Sequence, residues 1–197
     1  MSGGQVWRLT FLALTLLGVA WALVIPLGGN PDEPAHMVKA AAVVRGEVTW
    51  DSRVDVISTT PRQPTHHEIV MQAPAGYDRL TFRAACIARP PQRDASCAPP
   101  VDESTESIDV GTTYVAAYPP TVYFVLGLPT LWLKPSAAIA AARVLMVLLC
   151  SAFLATTITL AATRAGPRRF LLVGVLLATT PMAIYLSSTP NPNGLEV

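Results

Sequence analysis

Long apolar segments are the main feature of the hydrophobic pattern along this chain. The first, residues 9–27, is a run of 19 uncharged residues that follows Arg8, and further apolar segments lie at about 137–162 and 169–187. A helix needs roughly 20 apolar residues to cross a hydrocarbon core about 30 Å thick. The pattern therefore predicts a mainly α, polytopic membrane protein with three transmembrane helices, at about 6–27, 137–162 and 169–187. A cleaved signal peptide is the alternative for the first segment, but its apolar region would be too long.

The segment between the first two predicted spans, residues 28–136, is polar and rich in proline. Its beginning predicts a helix over 30–45, with Asn30 as N-cap, Glu33 at the capping-box spacing and Gly46 after the last turn. Apolar residues recur at helical spacing in this helix, which predicts that it lies along the membrane surface.

The rest of the polar segment predicts strand and turn. Residues 47–57 carry apolar side chains at mostly two-residue spacing, which indicates a short extended element. Repeated prolines from Pro61 to Pro100 exclude long regular elements from the part that follows. We therefore expect a small irregular or extended region between two juxtamembrane helices.

The second juxtamembrane helix is predicted at 121–133, after Pro119 and Pro120. Thirteen residues are too few to cross a bilayer upright, so this stretch does not cross. The loop 163–169 contains three arginines and is predicted to be cytoplasmic, as is the N-terminus beside Arg8. Residues 28–136 then form an extracytoplasmic loop.

Composition and cysteine usage narrow the picture further. The chain is 51% hydrophobic and 14% charged, its formal net charge is +1, and it has no run of lysine and arginine. The lipid bilayer is thus an expected partner and nucleic acid is not. Cys86 and Cys97 flank a proline-rich turn, and in an outer loop they are predicted to form a disulfide, the alternative being two free thiols. Cys150 lies in an apolar span and is expected to pack there.

Titratable side chains gather directly after the first span. Asp32 and Glu33 either cap a helix or supply carboxylates for acid–base chemistry, and His36 is either a structural hydrogen-bonding group or a substrate contact. Three further residues at 66–68 (His-His-Glu) match no known zinc spacing. Neither a metal nor a cofactor is expected.

Four motifs carry a resemblance to a known family. PDEPAHM at 31–37 follows a first membrane helix, YPPTVY occupies 118–123, Arg143 enters the next span, and NPNGLE occupies 191–196. Together they resemble the DUF2142 family of predicted bacterial membrane proteins, over essentially the whole chain. The resemblance implies one N-terminal part of a DUF2142-like membrane domain over 1–197, in a bacterial plasma membrane. Members of that family are usually longer, so we expect a fragment of a larger protein.

More remotely, the order of motifs is similar to the glycosyltransferase-C superfamily, which includes protein O-mannosyltransferases and lipid A aminoarabinose transferases. Those enzymes have an acidic pair after the first helix, a His- or Lys-Pro-Pro motif and an arginine entering the second span. Tyr118 stands at the His or Lys position here. The resemblance implies a glycosyltransferase that uses a polyprenyl-phosphate-linked sugar and an envelope glycan acceptor on the outer face of the membrane.

That resemblance also implies residue roles. Asp32 would be the general base, and Glu33 would orient or bind substrate. Partial burial of the base would favour proton uptake. The implied substrate-binding residues are His36, Tyr118, Arg143 and Asn193. Arg143 would pair with the lipid phosphate, the alternative being that it extends to the membrane interface.

Two further hypotheses remain open for the chain. The first is a non-catalytic membrane protein whose outer loop binds a glycan or an envelope partner. The second is an inactive truncated remnant.

Overall fold

A computed structural model describes residues 2–30, 32–48, 53–56, 66–87, 94–112, 114–163 and 169–195. The chain divides into two compact units. We call Met1–Ile25 together with Ala142–Val197 the membrane unit, and Pro26–Ala141 the loop unit.

The described elements follow in chain order, as α-helices and β-strands with four short 3₁₀ turns between them. The α-helices are α1 (Gly3–Val24), α2 (Glu33–Val43), α3 (Ala75–Asp78), α4 (Leu80–Ile87), α5 (Pro120–Gly127), α6 (Pro135–Thr163), α7 (Arg169–Ala178) and α8 (Pro181–Ser187). The strands are β1 (Arg53–Val56), β2 (His66–Pro74) and β3 (Ser107–Thr112). The 3₁₀ turns are Ala95–Cys97, Tyr114–Ala117, Leu128–Leu131 and Pro192–Leu195.

Two described helices, α1 and α6, are long and apolar enough to cross a membrane, with 22 and 29 residues. A third crossing is formed only if Phe170–Ala178 and Pro181–Ser187 count as one span, and these two helices are bent by 64°. The prediction of a mainly α membrane protein is thus confirmed, with two to three candidate spans, but the expectation of one continuous third helix is wrong. Pro181 cannot donate a backbone hydrogen bond, and the Thr180 hydroxyl accepts from the Ala183 N–H at 3.1 Å, so a new helix begins there.

Close packing holds α1 against α6 within the membrane unit. A Cβ atom on Gly18 would lie 2.8 Å from Cγ1 of Val147, so the two helices approach where the side chain is absent. Near the start of α1, the Trp7 Nε1–H donates to the Thr156 hydroxyl at 3.0 Å. Both contacts join residues far apart in sequence, which fixes the pairing of the two helices.

A three-stranded antiparallel sheet in the order β1-β2-β3 forms one side of the loop unit. Ile69 lies opposite Arg53 on one neighbour and opposite Thr112 on the other. Along β2, Met71 and Ala73 are buried and the residue between them is exposed. One face of the sheet therefore contributes to the core.

Helix α2 occupies the centre of the loop unit. Every residue from His36 to Val43 is buried, and α2 contacts β2, α3 and α5. The prediction that this helix lies along the membrane surface is therefore wrong. Its alanine-rich sequence has small side chains on all sides, so neighbouring elements can cover it all round.

The predicted ends of α2 also need correction. The helix begins at Glu33 and not at Asn30, and its N-cap, Asp32, makes no side-chain capping bond. The predicted capping box is absent because the Glu33 carboxylate accepts from the Gly28 N–H at 2.8 Å instead. Gly46 has φ +98°, which fits the predicted stop after the last turn.

The proline-rich part is more regular than the sequence pattern indicates. Strand β2 has nine residues and ends at Pro74, where a missing N–H removes no interior ladder bond. Cys86 at the end of α4 forms a disulfide with Cys97, and their Cα atoms are 6.0 Å apart. Cys150 is a free, buried thiol in α6.

The tightest contact between α2 and α5 gives a first prediction. A Cβ atom on Gly127 would meet the Ala40 carbonyl and lie 2.7 Å from Cγ1 of Val44. Overpacking of this kind costs about 1–3 kcal/mol. We expect Gly127→Ala to lower the free energy of unfolding by at least that amount, measured by denaturant unfolding in detergent.

Gly4→Ala is the matched control, because nothing lies within 4 Å of its added Cβ in α1. It should leave stability unchanged or raise it slightly. Equal stability of the two variants would contradict the close approach of α5 to α2.

Candidate functional site

The turn before α2 is held by hydrogen bonds to its backbone. Gly28 has φ +77°, and its N–H donates to the Glu33 carboxylate in a buried contact of 2.8 Å. From α4, the Arg83 Nε–H donates to the Leu27 carbonyl at 2.8 Å. Glu33 is 1% exposed, so its carboxylate is an internal group that fixes the turn.

Asp32 is exposed at the start of α2, between this turn and the buried helix. Its φ is 62°, and among the described residues it is the one non-glycine residue with a positive φ. Aspartate is among the few side chains that tolerate this left-handed conformation, and such outliers cluster at functional sites. The expected partial burial of Asp32 is wrong, because Glu33 and not Asp32 takes the interior position.

His36 lies in the core, one turn after Asp32. Its Nδ1 shares a hydrogen bond of 2.7 Å with the Tyr123 hydroxyl, and the two rings stack with centroids 5.8 Å apart. The ring of Tyr118 is 6.2 Å away at a tilt of 39°. His36 in α2 therefore contacts both tyrosines of the YPPTVY motif, Tyr118 and Tyr123.

Lys39 strengthens this connection one turn further on. Its ammonium group donates to the Ala116 carbonyl at 2.7 Å and to the Tyr118 carbonyl, and it lies 4.9 Å from the centre of the Tyr123 ring. The residue is 1% exposed. A buried ammonium group needs such partners, so Lys39 fixes the backbone that leads into Pro119 and Pro120.

Burial changes the pKa values of His36 and Lys39. Burial lowers the pKa of His36 to about 4; the Asp32 carboxylate raises this pKa, and the Lys39 ammonium lowers it further. Burial also lowers the pKa of Lys39 to about 8. At neutral pH the imidazole is thus uncharged, whereas the ammonium still carries its proton.

Asn30 precedes Glu33, His36 and Lys39 and, unlike them, has a side chain without hydrogen bonds. The residue is 1% exposed, and neither its Oδ1 nor its Nδ2 has a hydrogen-bond partner. Its backbone carbonyl accepts from the Glu33 N–H at 3.3 Å. The predicted side-chain cap is therefore replaced by a backbone contact.

Arg143 and Asn193 belong to the membrane unit. Arg143 is 1% exposed, and its Nη1 donates to the carbonyls of Ala22 and Ile25 at 2.7 and 2.6 Å. A cation at the last carbonyls of α1 is favoured by the helix dipole. The Arg143 guanidinium is thus internal to the membrane unit and is bonded to the end of α1.

Asn193 is exposed in the last 3₁₀ turn, and its N–H donates to Oδ1 of Asn191 at 3.0 Å. The buried Gly194 that follows accepts from the Cys150 thiol at 3.2 Å. The roles of Arg143 and Asn193 in substrate binding stay predictions.

The loop unit thus brings together several of the sequence-predicted residues. Glu33, His36 and Tyr118 are joined through α2, and Asp32 lies at its exposed start. Lys39 and Tyr123 also belong to this group and were not among the predicted site residues. Two signals were available: Lys39 follows His36 at a spacing of three, and Tyr123 lies on the helix that Pro120 begins.

No group of three or more His, Cys, Asp or Glu residues in the described part of the chain is arranged to hold a metal ion. The side chains of His66, His67 and Glu68 lie outside the described residues.

The chain matches the model of one known protein family. The model of the family described as "Predicted membrane protein (DUF2142)" matches residues 14–197. The chain belongs to the DUF2142 family. No curated protein and no solved structure matches it. The DUF2142 description specifies a membrane protein and no reaction, so a functional proposal depends on the site itself.

The lowered pKa of His36 makes a prediction about stability. In the unfolded chain the imidazole takes up a proton near pH 6.5, whereas in the folded chain it stays neutral down to about pH 4. Lowering the pH through this interval therefore favours unfolding, by up to about 3 kcal/mol at pH 4. Thermal unfolding in detergent, followed between pH 7 and pH 4, should show this loss of stability.

His36→Asn keeps a polar atom near the Nδ1 position and does not titrate. We expect this variant to lose stability less steeply than the wild type over the same interval. Parallel pH profiles for the two proteins would mean that His36 titrates normally in the folded state.

Proposed function

We propose that this DUF2142 protein acts in glycosyl transfer on the outer face of a bacterial plasma membrane, with a polyprenyl-phosphate-linked sugar as donor and an envelope glycan as acceptor. One observation carries the proposal. Two motifs 79 residues apart are joined directly by the bond from Lys39 to the Tyr118 carbonyl. The exposed Asp32 begins the helix that makes this contact.

In this proposal Asp32 is the general base. It removes the proton from an acceptor hydroxyl, the hydroxyl oxygen bonds to the anomeric carbon, and the bond from that carbon to the phosphate oxygen breaks. Polyprenyl phosphate leaves, and the proton remains on Asp32. The exposure of Asp32 supports this role, since a base must come within hydrogen-bond reach of the proton that it takes.

The other residues have supporting roles in the proposal. Glu33 orients the turn that precedes Asp32, because its carboxylate is bonded to the Gly28 N–H. We assign contact with the sugar to His36 and Tyr118. For the membrane unit taken by itself, we assign recognition of the donor phosphate to Arg143 and a substrate contact to Asn193.

Asp32→Asn tests the proposed base. Asparagine tolerates the left-handed conformation as well as aspartate does, so the fold should persist. In proteoliposomes supplied with a radiolabelled polyprenyl-phosphate-linked hexose and envelope glycan, we expect transfer to fall about 100- to 10,000-fold. Equal transfer by the variant and the wild type would exclude Asp32 as base.

Asp109→Asn is the matched control, because Asp109 is also an exposed aspartate of the loop unit. It should transfer at the wild-type rate. If the wild type binds glycan but transfers no hexose, the loop unit is a binding module and not an enzyme.

The proposal also requires the loop unit to face outwards and the 163–169 loop to face the cytoplasm. Thr163 and Thr105 are both exposed, and the native cysteines are either paired or buried. With a membrane-impermeant maleimide, we expect Thr105→Cys to be labelled in intact cells and Thr163→Cys only after permeabilisation. The reverse pattern would invert the proposed topology.

A further inference from the structure

Asn30 carries the one buried side-chain amide in the described loop unit whose two polar atoms both lack a partner. A buried amide left unpaired lowers the stability of the folded protein. Its neighbours do not share this property. Glu33 accepts from a backbone N–H, and His36 bonds to a tyrosine hydroxyl.

The position of Asn30 links this unpaired amide to the proposed base. Asn30 lies two residues before Asp32, which holds the strained left-handed conformation. The Asn30 carbonyl is bonded to the Glu33 N–H, so the residue is fixed to the first turn of α2. Two independent local anomalies thus occur within three residues, one in side-chain pairing and one in backbone conformation.

The hydrogen-bonding groups of the Asn30 amide determine which kind of ligand could pair with it. Its oxygen only accepts hydrogen bonds and its nitrogen only donates them. A phosphate oxygen or carboxylate could pair only with the nitrogen, and an ammonium group only with the oxygen. A hydroxyl both donates and accepts, and two neighbouring hydroxyls could satisfy both ends of the amide.

We propose that Asn30 is a specificity-determining residue that binds a hydroxyl group of a neutral sugar beside Asp32. This inference rests on the proposed function and assigns the sugar contact that function requires. Both amide atoms are closed from solvent, so in this proposal sugar binding opens the turn at 26–30 and releases the hydrogen bonds that hold it. Asn30 thereby exchanges an unpaired state in the free protein for a paired state in the complex.

Stability and binding should respond in opposite directions to substitution of Asn30. Asn30→Leu removes the unpaired amide, so we expect the melting temperature of the sugar-free protein to rise. Thr15→Val is the matched control, because the Thr15 hydroxyl in α1 is also buried and unpaired. It should likewise raise the melting temperature. A lower melting temperature for Asn30→Leu would mean that the amide already has a structural partner such as water, and would overturn the proposal.

Binding is measured as the rise in melting temperature on adding a polyprenyl-phosphate-linked hexose, with inorganic sulfate as the acceptor-only probe. The wild type and Thr15→Val should respond to the hexose donor, and sulfate should give no shift that depends on Asn30. Asn30→Leu should lose the response. Asn30→Ala, which is too small to overpack the site, should lose it too. A full response in either Asn30 variant, or none in the wild type, would overturn the proposal.

This experiment separates the inference from the proposed catalysis. Asp32→Asn should keep the hexose-dependent shift, because it lacks the base and retains the amide. If the wild type shows an Asn30-dependent shift but no transfer, the sugar contact stands and the proposed reaction fails. If transfer is found and both Asn30 variants transfer normally, the reaction stands and the Asn30 contact fails.

Discussion

The ammonium group of Lys39 lies inside the loop unit, where the carbonyls of Ala116 and Tyr118 receive its hydrogen bonds. Placing a cation in a protein interior costs several kcal/mol unless such partners are supplied. The backbone before Pro119 must therefore stay close to α2. Because α2 is also buried along its length, the same constraint positions the turn that carries Asp32.

The buried polar groups of the site have a different role from the exposed one. Glu33 and Lys39 are each 1% exposed and bonded to backbone groups, so they hold the turn before Asp32 and the segment before Pro119 in place. Asp32 is exposed and has a strained backbone. A rigid, internally paired helix thus presents one accessible carboxylate, which is the arrangement that an acid–base role or a binding role would need.

Sequence patterns predicted the membrane segments well, because a span needs a long uncharged run that is visible without tertiary information. The short apolar helix after Pro119 was also predicted, because its run of apolar residues is likewise visible in the sequence. The surroundings of α2 could not be predicted, because an alanine-rich helix shows no clear apolar stripe when it is covered on all sides. The bend at Pro181 was open to prediction, since a proline inside an apolar run interrupts a helix.

Within the candidate site, local spacing placed Asp32, Glu33 and His36 near one helix start. It assigned Glu33 to the wrong partner. The capping-box spacing is visible in the sequence, whereas the turn that brings the Gly28 N–H to the Glu33 carboxylate is not. The contacts of Tyr123 and Lys39 could not be predicted, since they join residues 77 to 87 positions apart. Contacts of that length depend on the packing of α2 against α5, which no local pattern encodes.

The disulfide between Cys86 and Cys97 has a consequence for how the protein matures. It holds the end of α4, and the same helix donates from Arg83 to the Leu27 carbonyl beside the turn before Asp32. Disulfides persist in oxidising compartments and are rare where thiols are kept reduced. The geometry around Asp32 is thereby coupled to thiol oxidation, since the turn before Asp32 has its full support from α4 once the disulfide has formed.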